Sequence, residues 1–349
     1  MNALLQDIYA QPAELKKVLE DLSGPSLKDV IRIARMLTVA DEIVLTSMGS
    51  AFYSLMPMYD ALVSRGKHVL LSETADLLHY PERLNKNALY LLMSRSGESR
   101  EVSDFSKYLQ ENQLVSVAIT MTPGSTMAQN CALVLNDIAS YDAIVCIKAY
   151  SSMALCGLFC VSMMGRETVD PALAGALHAL FDWMEENKCR LHDQLAAISF
   201  LGKADNFYML SRGYGVNMMR SGSLWLEETA KVCANIMSID NFYHGPMEII
   251  RSAKIVRSVT TPLFLDVCPD ERSRMIWGKI NASMPDSIYI GPEGEPATAG
   301  AALYYPNFAV ENGYLMILQA LYLQLLSYRA ALSYGIEPGM FFDEGWVVT

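Results

Sequence analysis

One pattern repeats along this chain and limits what it can become: a short apolar run, a tight turn of small residues, then a helical stretch. Its clearest instance is Ile43-Val44-Leu45-Thr46-Ser47, followed by Met48-Gly49-Ser50 and by helical spacing over 52–65. A buried strand, a turn and a covering helix are the unit of a parallel sheet. Similar runs stand at 68–72, 88–93, 115–120 and 133–136. Five of them predict a doubly wound α/β domain whose ligand sits beyond the C-terminal ends of the strands. A second set begins at Asn206-Phe207-Tyr208-Met209-Leu210 and runs into Ser211-Arg212-Gly213-Tyr214-Gly215. Gly49 and Gly213 lie 164 residues apart, so the chain reads as a weakly similar duplication. Further strands are expected at 235–239, 255–260 and 287–290, and a long apolar helix over 313–335.

The remaining stretches connect these sets. Residues 1–40 are helical by spacing, with Pro12 suited to a helix start and Gly24-Pro25-Ser26 as a break before a second helix over 27–37. The charged helical stretch 171–197 reads as a connection. The expected division is therefore a helical segment 1–27, a first α/β domain 28–170, the connection 171–197 and a second domain 198–349. A chain of 349 residues, 52% of them apolar, is large enough for two cores.

A net charge of −11 disfavours nucleic acid as the main partner, because an acidic surface repels a polyphosphate backbone. A small phosphorylated ligand stays open, since backbone amides can hold one whatever the net charge. No basic head precedes an apolar run at the N-terminus, and the apolar window 151–165, bracketed by Lys148 and Arg166, is too short to span a bilayer. No membrane association is expected. Seven scattered cysteines without paired spacing read as reduced thiols of a cytoplasmic protein, and with five scattered histidines they predict neither a metal site nor a cofactor.

Two stretches carry candidate chemistry. Ser94-Arg95-Ser96-Gly97-Glu98-Ser99 stands between a strand and a helix over 102–111, where hydroxyls, amides and the helix dipole favour an anion and Arg95 adds a cation. A serine-rich helix cap without a ligand fits the same residues. The stretch 222–250 places Glu228 on a helix expected from about Ser223, and His244 sixteen positions later in a turn fixed by Gly245-Pro246. A carboxylate and an imidazole facing one cavity can do acid/base work. A solvated Glu228 paired with Lys231, and a His244 that only satisfies its turn, fit as well.

These motifs together resemble the SIS (sugar isomerase) family over roughly 28–349: two α/β halves, SRSGES after the third strand, KAYSS after the fifth, and GSLWLEETAK…FYHGPMEI in the second half. The likeness is nearest to the isomerase half of glucosamine-6-phosphate synthases and to fructosamine-6-phosphate deglycases. It implies two tandem doubly wound, flavodoxin-like SIS domains, each a mostly five-stranded parallel sheet flanked by helices. It implies that Ser94, Ser96 and Ser99 hold a sugar phosphate, with Arg95, Gly49, Ser50 and Cys146 lining the same pocket. Glu228 matches the glutamate that shuttles a proton between C1 and C2, and His244 the histidine that assists ring opening from the other subunit. The implied partner is a small phosphorylated sugar or amino sugar, and the implied assembly a homodimer with a shared active site.

One carboxylate over both carbons can remove and return the proton through a cis-enediol or enaminol, while the remote phosphate fixes register. Glu227 and Glu248 fit solvated or structural roles. Several positions depart from the synthases: Trp225 stands for a helix lysine, Cys146 for a pocket serine, and the tail 343–349 lacks lysine. With no glutamine-hydrolysing segment ahead of the two halves, plain isomerisation or deglycation is expected rather than amidotransfer. A sugar-phosphate sensor without catalysis is the alternative, and a metal-using isomerase a third.

Overall fold

The computed structural model describes residues 2–249, 259–294 and 299–341. Its residues form two compact units, one comprising Tyr9–Glu185 with Val310–Ile317, the other Glu186–Ala309 with Leu318–Phe341 and residues 2–8.

The first unit holds a five-stranded parallel sheet of β1 (Glu42–Ser47), β2 (His68–Glu73), β3 (Leu89–Ser94), β4 (Ser116–Thr120) and β5 (Leu133–Asn136), in the order β2-β1-β3-β4-β5. Parallel strands covered on both faces bury every residue, and β3 and β4 are buried throughout, whereas edge strand β2 is not. Val44, Tyr90, Leu92 and Ala118 pack with Phe105 and Leu109 of the helix Arg100–Glu111. Most of the window 151–165, expected to be too short for a membrane, lies in the helix Lys148–Ser162, which is buried at every residue.

The second unit repeats the topology. Its strands β6 (Asn206–Ser211), β7 (Cys233–Ser238), β8 (Thr260–Leu265), β9 (Ile288–Pro292) and β10 (Ala301–Tyr305) are parallel in the order β10-β9-β8-β6-β7. Counted within each unit, both orders are 2-1-3-4-5, so the winding reverses between β1 and β3 and again between β6 and β8. The second core is aromatic: Phe264 lies 5.5 Å from Trp277 and 5.9 Å from Tyr289 between ring centres.

Both units close the switch point in the same way. The last serine of the first strand bonds a carbonyl of the third: Ser47 to Met93, and Ser211 to Leu265 at 2.6 Å. Two residues later, Gly49 and Gly213 take left-handed φ values of 56° and 51°. The duplication expected from spacing is thus repeated in backbone geometry.

Several expected boundaries move. Pro12 lies inside the helix Ala3–Ser23 rather than at its start. The lost backbone bond costs about 3 kcal/mol, but burial of Leu4, Ile8, Leu15, Val18, Leu19 and Leu22, at about 1.5–3 kcal/mol each, outweighs it. The helix expected over 52–65 breaks at Leu55 into Gly49–Ser54 and Met56–Ser64, with Pro57 in the first turn of the second piece. The strand expected at 255–260 falls mostly outside the described residues, and β8 starts at Thr260. β10 was not anticipated. Among the described residues one helix, Asn312–Ser333, is long and apolar enough to cross a membrane, and 83% of its apolar window is buried inside the protein.

Candidate functional site

At the first switch point the C-terminal ends of β1 and β3 frame a cleft of about 320 Å³. Ser47, Met48, Ser50 and Ala51 line it from the turn after β1, and Ser94, Arg95, Ser96, Glu98 and Ser99 from the loop after β3; Val102 and Cys146 complete it. Of the expected ligand-binding residues, Ser50, Ser94, Arg95, Ser96, Ser99 and Cys146 share this cleft. Gly49 is not in its lining. Its left-handed backbone turns the chain so that Met48 and Ser50 on either side are.

The serine loop is held in shape by its own hydroxyls and by its neighbours. Gly97 N–H donates to Ser94 Oγ at 3.0 Å and Glu98 N–H to Ser96 Oγ at 3.2 Å. Three hydroxyls, of Thr120, Thr122 and Tyr141, donate to the Arg95 carbonyl at 3.3, 3.1 and 3.1 Å. Gly97 has a φ of +65°, and a Cβ there would stand 2.0 Å from Ser125 Oγ, so only glycine fits. The loop then enters the helix Arg100–Glu111, whose N-terminus presents its positive dipole end.

The charges in the cleft are sorted. Glu98 accepts from Thr126 N–H at 2.7 Å and Thr126 Oγ at 2.8 Å, and those bonds hold its carboxyl below the usual range while directing it to Thr126. The Arg95 guanidinium lies 5.6 Å from the centre of the Tyr141 ring. What remains for a ligand is a set of hydroxyls, a cation and a helix N-terminus, the elements of a phosphate site.

Cys146 belongs to a loop that is tied at several points. Buried Asp142 accepts from the first two amides of the helix Lys148–Ser162, Lys148 N–H at 2.7 Å and Ala149 N–H at 3.0 Å. Lys148 Nζ donates to Ser140 Oγ at 3.0 Å and to the Tyr141 carbonyl at 2.9 Å. Glu14 in turn accepts from Ser140 N–H at 2.9 Å. Behind the loop, Asp137 accepts from Ser152 Oγ at 2.5 Å and Ala139 N–H at 3.0 Å, and burial pushes its carboxyl up to about 6. Sequence reasoning missed Asp142 and Asp137; the signal for Asp142 is an acid shortly before a helix that lacks a local cap.

Glu228 and His244 are carried by the second unit. The helix expected from Ser223 begins at Tyr214 and ends at Trp225, and Glu228 sits on the π-helical turn Leu226–Ala230 that follows. Glu228 is half-buried, while Glu227 is exposed, its Oε1 3.4 Å from Ser223 Oγ. His244 is exposed at the C-terminal end of the short helix Ile239–Tyr243. The turn after it is closed by Met247 N–H on the Phe242 carbonyl at 2.9 Å and Glu248 N–H on the Gly245 carbonyl at 3.0 Å. Trp225, at the position of the absent helix lysine, is fully buried, so that position belongs to the core.

Two parallel sheets of order 2-1-3-4-5, the first with a serine-lined cleft at its switch point, are the tandem α/β arrangement that the SIS resemblance implies. No family model matches the sequence. The glutamine–fructose-6-phosphate aminotransferase (isomerizing) of Corynebacterium glutamicum is 25% identical over 327 residues, covering 87% of this chain and 50% of that protein. The chain spans about half the length of the curated relatives it matches. The C-terminal domain of glucosamine-fructose-6-phosphate aminotransferase from Francisella tularensis has the same fold, with a TM-score of 0.79 at 16% identity, covering 96% of this chain and 97% of that one. Tagatose-6-phosphate ketose/aldose isomerase from Escherichia coli gives 0.78 at 18% identity, covering 97% and 94%. The resemblance to the SIS family drawn from the motifs therefore extends over the whole fold.

Proposed function

We propose that this chain is a cytoplasmic enzyme that moves a proton between C1 and C2 of a 6-phosphorylated sugar or amino sugar, as an isomerase or as a deglycase of the fructosamine-6-phosphate type. The observation that carries the reading is the cleft itself, with Ser94, Ser96, Ser99 and Arg95 on one wall and Ser50 and Cys146 completing it. The relatives whose names specify fructose-6-phosphate and tagatose-6-phosphate support a hexose phosphate as ligand.

In this reading the phosphate binds the serine loop and fixes the sugar's register, so that binding energy remote from the reacting carbons orients them. Glu228 takes the proton from one carbon and returns it to the next through the enediol or enaminol. His244 assists ring opening from the neighbouring subunit of a homodimer, a role its exposure suits.

The test is incubation with fructose-6-phosphate, tagatose-6-phosphate, glucosamine-6-phosphate and 6-phosphorylated fructosamines in deuterated water. Deuterium at C1 or C2, lost in Glu228→Gln, is the expected result. Tight binding without exchange identifies a sensor instead, and absence of binding overturns the reading.

A further inference from the structure

We propose that Lys231 is a positioning residue for Glu228: it closes the π-turn that carries the carboxylate and fixes a cation beside it. The proposal rests on the reading of Glu228 as the proton shuttle.

The helix Tyr214–Trp225 widens into the π-turn Leu226–Ala230 and is stopped by Lys231 at φ 57°, ψ 31°. Among the described residues only Gln113 and Lys231 combine a side chain with a positive φ. Glycine or asparagine is the ordinary choice for a left-handed helix stop, so a lysine there is held by something other than backbone preference. π-turns and strained backbone both concentrate at functional sites.

The lysine side chain supplies the reason. It folds back so that Nζ donates to the main-chain carbonyl of Glu228, three residues earlier, and it stands 4.9 Å from the centre of the Phe341 ring. The ammonium thus caps a carbonyl of the widened turn and is covered by an aromatic face. Burial lowers its proton affinity while the charge of Glu228 raises it, so the two groups interact. The elements packed against the turn are the helix Tyr214–Trp225, which carries Tyr214 and Arg220, and β7, which carries Cys233; the turn itself also holds Glu227. A cation held on the main chain of residue 228 favours the ionised form of that residue's carboxylate, ready to accept a proton.

Lys231→Gly and Lys231→Arg separate this role from simple capping. Glycine suits the left-handed backbone, so Lys231→Gly keeps the helix stop while it removes the ammonium. If Lys231 only ends the helix, Lys231→Gly loses nothing. If it positions Glu228, kcat falls about tenfold with KM little changed, and Lys231→Arg recovers most of it. A readout independent of turnover is the pH titration of Glu228 by carbon NMR with labelled glutamate, assigned with Glu228→Gln and controlled with Glu227→Gln. The midpoint is expected to rise by about one pH unit in Lys231→Gly and to stay in Lys231→Arg. An unmoved midpoint in Lys231→Gly overturns the proposal. A native chain that shows the titration effect but exchanges no sugar proton leaves Lys231 as proposed and removes the enzymatic reading alone.

Discussion

Ser47, at the end of β1, donates its hydroxyl to the carbonyl of Met93 in β3, across the point where the first sheet reverses its winding. Both residues are fully buried, and the cleft opens directly beyond them. Ser47→Ala strands the Met93 carbonyl out of reach of water, which costs about 1–3 kcal/mol. The second unit offers the matched control, since Ser211 bonds the Leu265 carbonyl at 2.6 Å. Denaturant unfolding of the two alanine variants should show losses of similar size, whereas phosphosugar affinity should fall only in Ser47→Ala.

Gly97 is the residue on which the shape of the serine loop depends. Its φ of +65° is strained for any side chain, and an added Cβ would lie 2.0 Å from Ser125 Oγ and 2.6 Å from Ser125 Cβ. Ser125 caps the helix Thr126–Asn130 and cannot swing away without losing that bond. Gly97→Ala is therefore expected to lower stability by about 1–3 kcal/mol and to displace Ser94, Ser96 and Ser99 together. Calorimetric titration with a 6-phosphorylated hexose should show binding weakened at least tenfold; native affinity would mean that the loop does not hold the ligand.

Much of this arrangement was readable before the structure, and the exceptions have physical causes. Strands β1, β3 and β4 announce themselves because a strand buried on both faces is mostly apolar, with its polar residues at the ends. β10, Ala301-Ala302-Leu303-Tyr304-Tyr305, has two tyrosines but opens on two alanines and has no β-branched residue, which leaves a weak strand signal. The serine loop is legible as hydroxyls and a glycine at a strand–helix junction, and the family resemblance is what separates a ligand site there from a plain helix cap. Asp142, which caps the helix Lys148–Ser162 from six residues upstream, is fixed by tertiary folding and leaves no periodic trace. The π-turn under Glu228 likewise has no local signature, since Leu226, Thr229 and Ala230 read as an ordinary helix.

Asp137 gives the protein a pH-dependent stability of definite sign. Burial, opposed by the Ser152 bond, raises its folded pKa to about 6 from 3.8. The folded state then holds the proton more tightly than the unfolded one. The contribution to stability is full below about pH 4, declines as pH rises and is lost above about pH 6. Its size is on the order of 3 kcal/mol. Asp137→Asn keeps a carbonyl for the Ala139 amide and removes the titration. Urea unfolding at pH 5 and pH 8 should therefore show the native chain losing stability relative to Asp137→Asn at the higher pH. Equal differences at the two pH values would show that Asp137 does not titrate in this range.

Arg95 is the cation in the cleft, set against Tyr141 with its guanidinium 5.6 Å from the ring centre. A charged hydrogen bond to phosphate is worth about 1.5–3 kcal/mol, which corresponds to at least a tenfold change in affinity. Arg95→Gln should weaken a 6-phosphorylated hexose by that factor and leave an unphosphorylated hexose unaffected. Thiol alkylation offers a second check at the same place, because half-buried Cys146 lines the cleft. Its labelling rate should drop when the phosphosugar is present, and Cys146→Ser should bind as the native chain does.

The second switch point has the same turn as the first but a different filling. Where the first unit has Met48, the second has Arg212, whose Nε bonds Asp240 at 2.9 Å and whose Nη1 bonds Asp270. Arg272 joins the network through Asp240 at 2.8 Å. Two guanidinium groups and two carboxylates neutralise one another beyond the end of β6, and the Ser273 amide with Arg212 holds the Asp270 carboxyl down to about 2. A neutral, internally satisfied network has no charge left with which to recruit a phosphate. Partly exposed pairs contribute about 1 kcal/mol or less each, so Arg212→Met is expected to lower stability modestly, with a loss that shrinks in high salt. Phosphosugar affinity, read by the same titration, should stay within about twofold of native, since 1.4 kcal/mol would be needed for tenfold. If Arg212→Met instead abolishes binding, the second turn takes part in holding the sugar, and the assignment of the phosphate to the first cleft alone fails.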